Sequence, residues 1–465
     1  MECSVKRLVI IGAGFSGTVT AIEFLKRAPK GSQLIIVNRS GNMARGLAYG
    51  TNSPHHLLNV PAGNMSALVD SPDSFLAFCQ RIDPDTHSGS FVSRKMYGAY
   101  LSELLSQAEA ESSVQCSRIT GEVLSIQPTG TGVTIENHTG ERIVADHVVL
   151  AFGNFSPVRP HGLQQLDSCS AYIEDPWSTT AKVVSHEAPR VLLVGSGLTA
   201  VDTLISLRQS HPDAKVTMVS RRGLLPTAHR ERMPAAGFST SICADVLTAP
   251  RSVLSYMRLI RREIARSPEH WREVVAAIRP ITSELWEGLS LDERKRFLRH
   301  VQPHWDVYRH RVAPKTFQIY QDALAASDVR SIAGRIMSIA LEEPCVSVRI
   351  KTRGTDNIVE CQFDQVINCT GPCTDIRKIT DTFISYLSKE AMICADALNL
   401  GINVGKDYAV VDSSGKSSGW LSYVGPMLKA QLWEATAVPE LRQHARALAI
   451  QVAQAFTAPV GSDSI

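Results

Sequence analysis

The pattern of hydrophobic positions near the start of the chain predicts a strand, a helix and a second strand in close succession. Residues 5–11 (VKRLVII) are typical of a buried parallel strand, and residues 18–26 are typical of a helix. A further apolar run follows at residues 33–37 (QLIIV). Because strand, helix and strand follow one another over short connections, we predict a βαβ unit with a parallel sheet.

A glycine-rich turn, residues 12–17 (GAGFSG), lies between the first strand and the helix. In a βαβ unit the first glycine of G-x-G-x-x-G permits a tight turn, and the second lets the backbone approach a pyrophosphate. The third lets helix and strand pack closely. A tight turn without a ligand is the alternative. We predict that a dinucleotide binds at Gly12, Gly14, Ser16 and Gly17.

Asn38 and Arg39 follow the second strand of this unit. The position after that strand commonly carries an acidic residue that binds the ribose hydroxyls. Asparagine can also hydrogen-bond to a ribose, although more weakly than a carboxylate does. Both residues are therefore candidates for cofactor binding.

The same order of strand, glycine-rich turn, helix and strand recurs at residues 190–219. The second turn has the sequence GSGLTA, which is G-x-G-x-x-A. It predicts a second dinucleotide site, and its candidate binding residues are Gly195, Gly197, Leu198 and Thr199.

Two arginines, Arg221 and Arg222, follow the last strand of the second unit, and no acidic residue accompanies them. Basic residues at this position suit the 2′-phosphate of NADP better than the bare ribose of NAD. A solvated pair of surface arginines is the alternative. The sequence therefore favours NADPH over NADH.

Two dinucleotide units in one chain predict an α/β protein with two Rossmann-like dinucleotide-binding domains and a mostly helical insertion. One domain would hold FAD and the other NAD(P)H, so that hydride passes from nicotinamide to flavin. We expect the FAD-binding domain in two parts, residues 1–180 and 346–465. The NAD(P)H-binding domain would cover residues 181–345, with the helical insertion at about residues 243–330.

Small residues follow two further apolar strands. Gly153 comes after the strand at residues 147–151, and Thr370 and Gly371 come after the strand at residues 365–369. Small residues at such strand ends let the backbone pass close to a cofactor. We include all three among the candidate cofactor-binding residues.

A turn at Gly425 and Pro426 precedes a predicted helix at residues 428–435. The N-terminus of a helix at this place would stabilise negative charge on a reduced flavin ring. The two turn residues are therefore further candidates for contact with the flavin.

The predicted insertion is rich in charged residues. Residues 257–311 contain 12 Lys and Arg, 8 Asp and Glu, and four His. One interpretation is a substrate-facing lid whose arginines bind a carboxylate or a phosphate. The other is a set of amphipathic helices with a solvated basic face. Arg309 and Arg311 are the best candidates for a catalytic role, and no spacing is typical of a metal site.

The composition excludes several other classes of protein. The chain of 465 residues carries 48 Lys and Arg against 45 Asp and Glu, which gives no indication of nucleic-acid binding. No apolar run approaches the roughly 18 residues of a transmembrane helix, and no signal-peptide pattern is present. Ten cysteines without a C-x-x-C pair favour reduced thiols. We expect a cytoplasmic protein without a membrane partner.

Five further segments resemble a known family. They are GLAYGT at residues 46–51, HHLLNVP at 55–61, DPW at 175–177, WDVYRHR at 305–311 and LWEATAVPE at 432–440. Together they resemble the FAD–NAD(P)-binding family related to class B flavin monooxygenases, and they span nearly the whole chain. The assigned relatives resemble N-oxygenating enzymes, some of which turn aspartate into a nitroso or nitro product. The resemblance does not assign that substrate to this chain.

The resemblance implies that residues 46–61 wrap the flavin. The candidate flavin contacts in this segment are Ala48, Tyr49, Leu58, Asn59 and Val60. Asn59 would lie near the isoalloxazine edge and take part in catalysis. A loop of this length, rich in Gly, Asn, His and Pro, exceeds a simple connection, although a structural surface loop is the alternative.

Three functions compete at this point. The first is an NADPH-using monooxygenase in which O₂ adds at flavin C4a and a small, anionic or amino-acid-like metabolite is oxygenated, most simply at nitrogen. The second is an NAD(P)H-dependent flavoprotein reductase or dehydrogenase, without the disulfide relay that needs paired cysteines. The third is a nucleotide sensor or assembly factor without enzymatic activity. We favour the first, with the small molecule and O₂ as partners, and leave a homodimer open.

Overall fold

The computed structural model describes residues 5–130, 132–163, 166, 169–178, 187–231, 238–342 and 344–457. Numbered along the chain, the strands are β1 (Arg7–Ile11), β2 (Gln33–Asn38), β3 (Gln115–Thr120), β4 (Val123–Thr129), β5 (Gly132–Asn137), β6 (Arg142–Ala145), β7 (His147–Leu150), β8 (Tyr172–Ile173), β9 (Arg190–Val194), β10 (Lys215–Ser220), β11 (Val329–Glu342), β12 (Cys345–Thr352), β13 (Ile358–Phe363), β14 (Gln365–Asn368), β15 (Ala409–Val411) and β16 (Ser417–Tyr423).

The α-helices are numbered in the same way. They are α1 (Phe15–Leu25), α2 (Gly46–Tyr49), α3 (Ser74–Ile82), α4 (Arg94–Glu111), α5 (Leu198–Ser210), α6 (Ile242–Leu247), α7 (Val253–Arg266), α8 (Trp271–Ile278), α9 (Thr282–Gly288), α10 (Leu291–His300), α11 (Gln302–Arg309), α12 (Pro314–Ala325), α13 (Thr382–Lys389) and α14 (Val438–Thr457).

The chain divides into two compact units. Unit 1 comprises Met1–Asn52, Pro61–Asn154 and Thr374–Ile465, and unit 2 comprises Ser53–Val60 and Phe155–Cys373. Each unit contains one of the two predicted βαβ motifs. The first unit is discontinuous in sequence. Its assignment as the split FAD-binding domain stays a prediction.

The unit boundaries differ in detail from the expected ones. The expected boundary between residues 180 and 181 lies within 179–186, outside the described residues. The expected boundary between residues 345 and 346 falls inside strand β12. Because β12 pairs with β11 on one side and β13 on the other, it cannot be divided between domains. Unit 2 therefore continues to Cys373.

Unit 1 is built on a sheet with the strand order β15-β16-β7-β1-β2-β3. Strand β1 pairs in parallel with β2 and β7, so that Ile11 lies opposite Val37 and Leu150. Helix α1 packs against α4 and α14, and all its residues are buried. Such complete burial explains why the sequence of α1 is almost uniformly apolar or small. A separate antiparallel sheet has the order β4-β5-β6.

Unit 2 is built on a sheet with the order β13-β12-β11-β10-β9-β14-β8. Strand β9 pairs in parallel with β10 and β14. Val191 and Leu193 face one hydrophobic cluster, whereas Leu192 and Val194 face another on the opposite side of the sheet. Burial on both faces is what a parallel strand covered by helices requires.

Helices α6 to α12 lie between β10 and β11, where the helical insertion was expected. The predicted fold class, α/β with two Rossmann-like units and a mostly helical insertion, is confirmed.

The predicted helix at residues 428–435 is wrong. A 3₁₀ helix covers Pro426–Ala430, turns follow, and the next α-helix begins at Val438. Trp433 and Glu434 in the turns are both buried. The chain therefore forms a 3₁₀ helix and successive turns in place of the predicted α-helix, with both side chains buried.

Candidate functional site

The glycine turn of unit 1 has the backbone geometry that its sequence predicts. Gly12 has a φ of 110°, and its N–H donates to the Val37 carbonyl at 2.8 Å. A Cβ added to Gly12 would lie 2.6 Å from the Ala151 carbonyl oxygen, and one added to Gly17 would lie 1.9 Å from the Gly12 oxygen. Glycine is therefore required at both positions.

Gly14 opens the N-terminus of helix α1. No side chain caps the helix, so the first backbone N–H groups of α1 have no capping acceptor. A Cβ on Gly14 would meet only the Cα of Gly46, at 3.8 Å. A pyrophosphate needs backbone N–H donors and the space that a glycine leaves free. This turn offers both, so it fits the FAD that the sequence predicts. Ser16 lies in the first turn of the same helix and is buried.

Asn38 and Arg39 are both engaged within unit 1. The Asn38 Oδ1 accepts a hydrogen bond from the Ala13 N–H at 3.1 Å, and its Nδ2 donates to the Ser40 carbonyl at 2.6 Å. The Arg39 guanidinium pairs with Asp381 and lies 3.6 Å from Glu122. Asn38 therefore holds the glycine turn, and the charge of Arg39 is balanced by carboxylates. A direct contact of either residue with the ribose stays a prediction.

Helix α2 brings Gly46, Ala48 and Tyr49 next to the glycine turn. A Cβ on Gly46 would lie 2.8 Å from the Cα of Gly14. The Tyr49 ring is 4.5 Å from the ring of Tyr97, and burial raises the pKa of Tyr49 to about 12. Ala48 is exposed. The structure thus brings these sequence-distant candidate residues together.

Tyr423 joins the two other candidate turns of unit 1. Its hydroxyl donates to the Phe152 carbonyl and accepts from the Met427 N–H, each at 3.1 Å. A Cβ on Gly425 would lie 2.5 Å from this hydroxyl, which explains the glycine before Pro426. Gly153, next to Phe152, is exposed. The sequence carries no motif that assigns this role to Tyr423.

The glycine turn of unit 2 repeats the geometry of the first. Gly195 has a φ of 125°, and its N–H donates to the Val219 carbonyl at 2.8 Å. A Cβ on Gly195 would lie 2.3 Å from the Cys369 oxygen. Gly197 opens helix α5, which has no side-chain cap, and a Cβ there would meet no described atom within 4 Å. The first turn of α5, with Leu198 and Thr199, therefore fits a second pyrophosphate.

The charge after strand β10 is not balanced as it is in unit 1. Arg222 donates to the Arg299 carbonyl at 2.7 Å. Arg221 is exposed and makes no hydrogen bond or ion pair with any other residue that the structure describes. Its guanidinium is therefore available to a 2′-phosphate.

The turn after strand β14 is held by a buried asparagine. The Asn368 Oδ1 accepts hydrogen bonds from the Thr370 hydroxyl at 2.7 Å and from its N–H at 3.2 Å. Gly371 has a φ of 91°, and a Cβ there would meet no described atom within 4 Å. Glycine is thus required at this turn by its backbone conformation alone.

The segment Ser53–Val60 belongs to unit 2, although it was expected in the first domain. Side chains explain this. His56 is hydrogen-bonded to the Ser206 hydroxyl at 2.8 Å, and its ring is 5.6 Å from that of Trp177. The Asn59 carbonyl accepts a hydrogen bond from His229 Nε2 at 2.9 Å. The neighbouring Leu58 is buried, whereas Val60 is partly exposed.

The charges of Arg272, Arg309 and Arg311 act on His229, and together with the adjacent Arg230 these residues form what we call the arginine cluster. The Trp271 ring lies 4.4 Å from the guanidinium carbon of Arg272 and 5.7 Å from that of Arg311. Strand-like pairing holds the cluster together, because the His229 N–H donates to the Val312 carbonyl at 3.0 Å.

The arginine cluster carries an excess of positive charge. Partial burial, followed by the charges of Arg272 and Arg309, lowers the pKa of Arg311 to about 10. Glu273 opposes this effect, and it is bonded to Arg230 at 2.6 Å. Cations that destabilise one another in a partly buried place favour the binding of an anion.

His229 is neutral at ordinary pH. Burial, then the charges of Arg311, Arg309 and Arg272, lower its pKa to about 4, although the hydrogen bond to the Asn59 carbonyl acts in the opposite direction. A carbonyl oxygen can only accept a hydrogen bond, so the proton of the neutral ring is on Nε2.

The structure brings together the three residues predicted as catalytic. Asn59 is joined to His229, and the charges of Arg309 and Arg311 act on the same imidazole. Sequence reasoning missed the remaining members of the cluster and His229. None of them belongs to a spacing pattern, because loop 227–231, α8 and the end of α11 meet only in the folded chain.

Together, the two glycine turns and their parallel sheets define the class of flavoproteins with two dinucleotide-binding domains. Residues 9–155 match the family model described as FAD-NAD(P)-binding, which confirms the prediction of such a domain in this part of the chain. Comparison with curated proteins gives no match.

Solved structures share the fold over almost the whole chain. The ornithine hydroxylase PvdA from Pseudomonas aeruginosa has a TM-score of 0.65 at 15% identity, with 97% of this chain and 99% of that chain covered. The ornithine N-hydroxylase KtzI from Kutzneria sp. 744 has a TM-score of 0.65 at 14% identity, with 98% and 100% covered. L-lysine 6-monooxygenase from Pseudomonas syringae has a TM-score of 0.62 at 16% identity, with 96% and 99% covered.

These matches confirm the predicted fold, because the chain shares with these proteins an architecture of two dinucleotide-binding units. Among the helices that the structure describes, none is long and apolar enough to cross a membrane.

Proposed function

We propose that this protein is an FAD-dependent monooxygenase that uses NADPH and O₂ to oxygenate a small, anionic or amino-acid-like metabolite at nitrogen. The arginine cluster is the observation that carries the substrate class. Burial and the charges of Arg272, Arg309 and Arg230 lower the pKa of Arg311, and the charge of Glu273 raises it. A substrate carboxylate would therefore further stabilise the charged Arg311.

The assignment of FAD to unit 1 rests on the contact between Gly14 and Gly46 and on the uncapped start of α1. The assignment of NADPH to unit 2 rests on the open space at Gly197 and on the unpaired guanidinium of Arg221 among the described residues. When bound, FAD would accept hydride from NADPH and activate O₂, so few acidic or basic side chains are needed.

The chain's own residues would bind and orient the substrate. Arg309 and Arg311 would hold a substrate carboxylate, because a guanidinium can donate two parallel hydrogen bonds to a carboxylate. The Trp271 ring fixes the Arg311 guanidinium from one side. The amine of the substrate would then be oriented by the bound carboxylate end.

A flavoprotein reductase is the alternative. None of the described cysteines forms a disulfide, and burial raises the pKa of Cys369 to about 12, so this thiol is a poor nucleophile. Ornithine and lysine are acted on by proteins of the same fold, so these amino acids and related amines are the first substrates to test.

The test compares Arg309→Ala with Arg262→Ala, an exposed arginine of helix α7 outside the arginine cluster. With purified, flavin-loaded protein, NADPH consumption, hydrogen peroxide and N-oxygenated product are measured for a panel of amines and amino acids. We expect Arg309→Ala to consume NADPH at a near-normal rate while product falls on the order of a hundredfold and peroxide replaces it. Arg262→Ala should behave like the wild type.

Two results would contradict the proposal. If the wild-type protein reduces its flavin with NADPH but gives no oxygenated product with any candidate, the reductase is preferred. If Arg309→Ala and Arg262→Ala retain equal product yields, the arginine cluster does not bind the substrate.

A further inference from the structure

We propose that His229 is a positioning residue that holds Asn59 and the segment Ser53–Val60 against the arginine cluster. This inference rests on the proposed function, because it gives the segment a task in coupling oxygen chemistry to the bound substrate. It adds a residue that neither the sequence motifs nor the comparisons indicate.

A hydrogen bond joins His229 to the segment directly. His229 Nε2 donates to the Asn59 carbonyl at 2.9 Å, across 170 positions of sequence. This contact leaves the Asn59 side chain unconstrained by His229 while fixing the backbone from which it projects. Three residues earlier in the same segment, His56 is hydrogen-bonded to Ser206. The segment is thus held to the rest of unit 2 at two points.

Backbone pairing with Val312 holds the backbone of His229 in place. The Thr227 carbonyl accepts from the Val312 N–H at 2.9 Å, and the Val312 carbonyl accepts from the His229 N–H at 3.0 Å. Val312 is buried against Val201 and Ile205 of helix α5, and Leu198 packs on the same cluster. His229 is therefore attached to the first turns of the helix that follows the second glycine turn.

The charges around the His229 ring favour its neutral form. Arg311 adjoins Val312 in the chain, and the charges of Arg311, Arg309 and Arg272 all disfavour a second proton on His229. Arg230 and Glu273 lie in the same cluster and compensate each other through their hydrogen bond. A neutral imidazole adds no further cation to the cluster, so His229 can orient Asn59 without competing with the arginines for an anion.

The experiment uses the holoenzyme of His229→Ala and His229→Gln. Glutamine is uncharged and keeps an N–H donor at a comparable distance from the backbone, so it should preserve the bond to Asn59. His300→Ala is the matched control, because His300 is an exposed histidine of helix α10 without contact to the segment. Deuterium uptake of a peptide covering Ser53–Val60 is measured, together with oxygenated product per NADPH.

We expect His229→Ala to accelerate deuterium uptake in Ser53–Val60 by about tenfold, since one hydrogen bond holds Asn59. Product per NADPH should fall by about tenfold or more, while the rate of flavin reduction by NADPH changes by less than about twofold. His229→Gln should restore both quantities, and His300→Ala should change neither.

Unchanged uptake in His229→Ala would overturn the proposal. So would faster uptake with unchanged product yield, because the segment would then be held without being positioned for the reaction. Failure of His229→Gln to restore either quantity would show that the hydrogen bond is not the cause. If the wild type yields no oxygenated product, the proposed function fails, and deuterium uptake alone decides whether His229 holds the segment.

Discussion

The two glycine turns of this protein share a backbone and differ in charge. In both units the first glycine has a positive φ, of 110° at Gly12 and 125° at Gly195, and donates its N–H to the neighbouring strand at 2.8 Å. In both, an added Cβ would strike a carbonyl of the strand on the other side. The turn is therefore set by close packing between strands and does not depend on which cofactor it binds.

The differences lie in the third position and after the second strand. Gly17 has no room for a methyl group, whereas the equivalent Ala200 is accommodated and fully buried. Arg39 is balanced by Asp381 and Glu122, whereas Arg221 has no such partner in the described part of the chain. We infer that backbone geometry selects a dinucleotide and that the charges beside it select which one.

We expect the largest effect from a substitution at the third glycine position of the first turn. In Gly17→Ala the new Cβ would lie 1.9 Å from the Gly12 carbonyl oxygen, so helix α1 or the turn must move. We expect the variant to lose bound flavin and about 3 kcal/mol or more of stability, at the upper end of overpacking effects. The reverse change, Ala200→Gly, should cost only about 1–2 kcal/mol, from helix propensity and one buried methyl group. Denaturant unfolding and flavin content measure both, and equal losses in the two variants would refute this interpretation.

We expect a smaller effect from removing the charge of the arginine that follows the second strand in each unit. Arg221→Ala should reduce the preference for NADPH over NADH by about tenfold, because a charge-assisted contact to a 2′-phosphate contributes about 1.5–3 kcal/mol. Arg39→Ala should leave this preference unchanged, since its guanidinium pairs with Asp381. The measurement is kcat/KM for flavin reduction with each nucleotide. Arg222→Ala should have less effect than Arg221→Ala, because Arg222 is engaged with the Arg299 carbonyl. An unchanged ratio in Arg221→Ala would remove the argument for NADPH.

The smallest effect concerns a buried histidine of unit 1. Burial lowers the pKa of His147 from 6.5 to about 4, and its Nε2 is hydrogen-bonded to the Ser422 hydroxyl at 3.0 Å. Between about pH 6.5 and 4, His147 is therefore protonated in the unfolded chain but neutral in the folded chain. The free energy of unfolding falls as the pH falls through this window. His147→Gln keeps a hydrogen-bonding group but does not titrate. We expect the loss of unfolding free energy between pH 7 and pH 5 to be smaller in this variant than in the wild type. Parallel pH profiles for the two proteins would contradict this account.

The two βαβ units could be predicted from sequence because each is a local pattern. The prediction of residues 428–435 as a helix was wrong, because the local apolar pattern does not distinguish an α-helix from the 3₁₀ helix and turns that bury Trp433 and Glu434 here. Likewise, the segment Ser53–Val60 follows the first βαβ unit in sequence but is held by side chains of the second.

Local sequence patterns were enough to predict the two glycine turns, their strands and helices, and the position of the helical insertion. Their causes act over a few neighbouring residues: apolar periodicity, and glycines that a tight turn requires. Which charged and polar side chains meet became apparent only from the folded structure. Arg39 is neutralised by Asp381, which lies 342 positions away, and His229 reaches Asn59 across 170 positions. Charge effects depend on distance in space, which local sequence patterns do not encode.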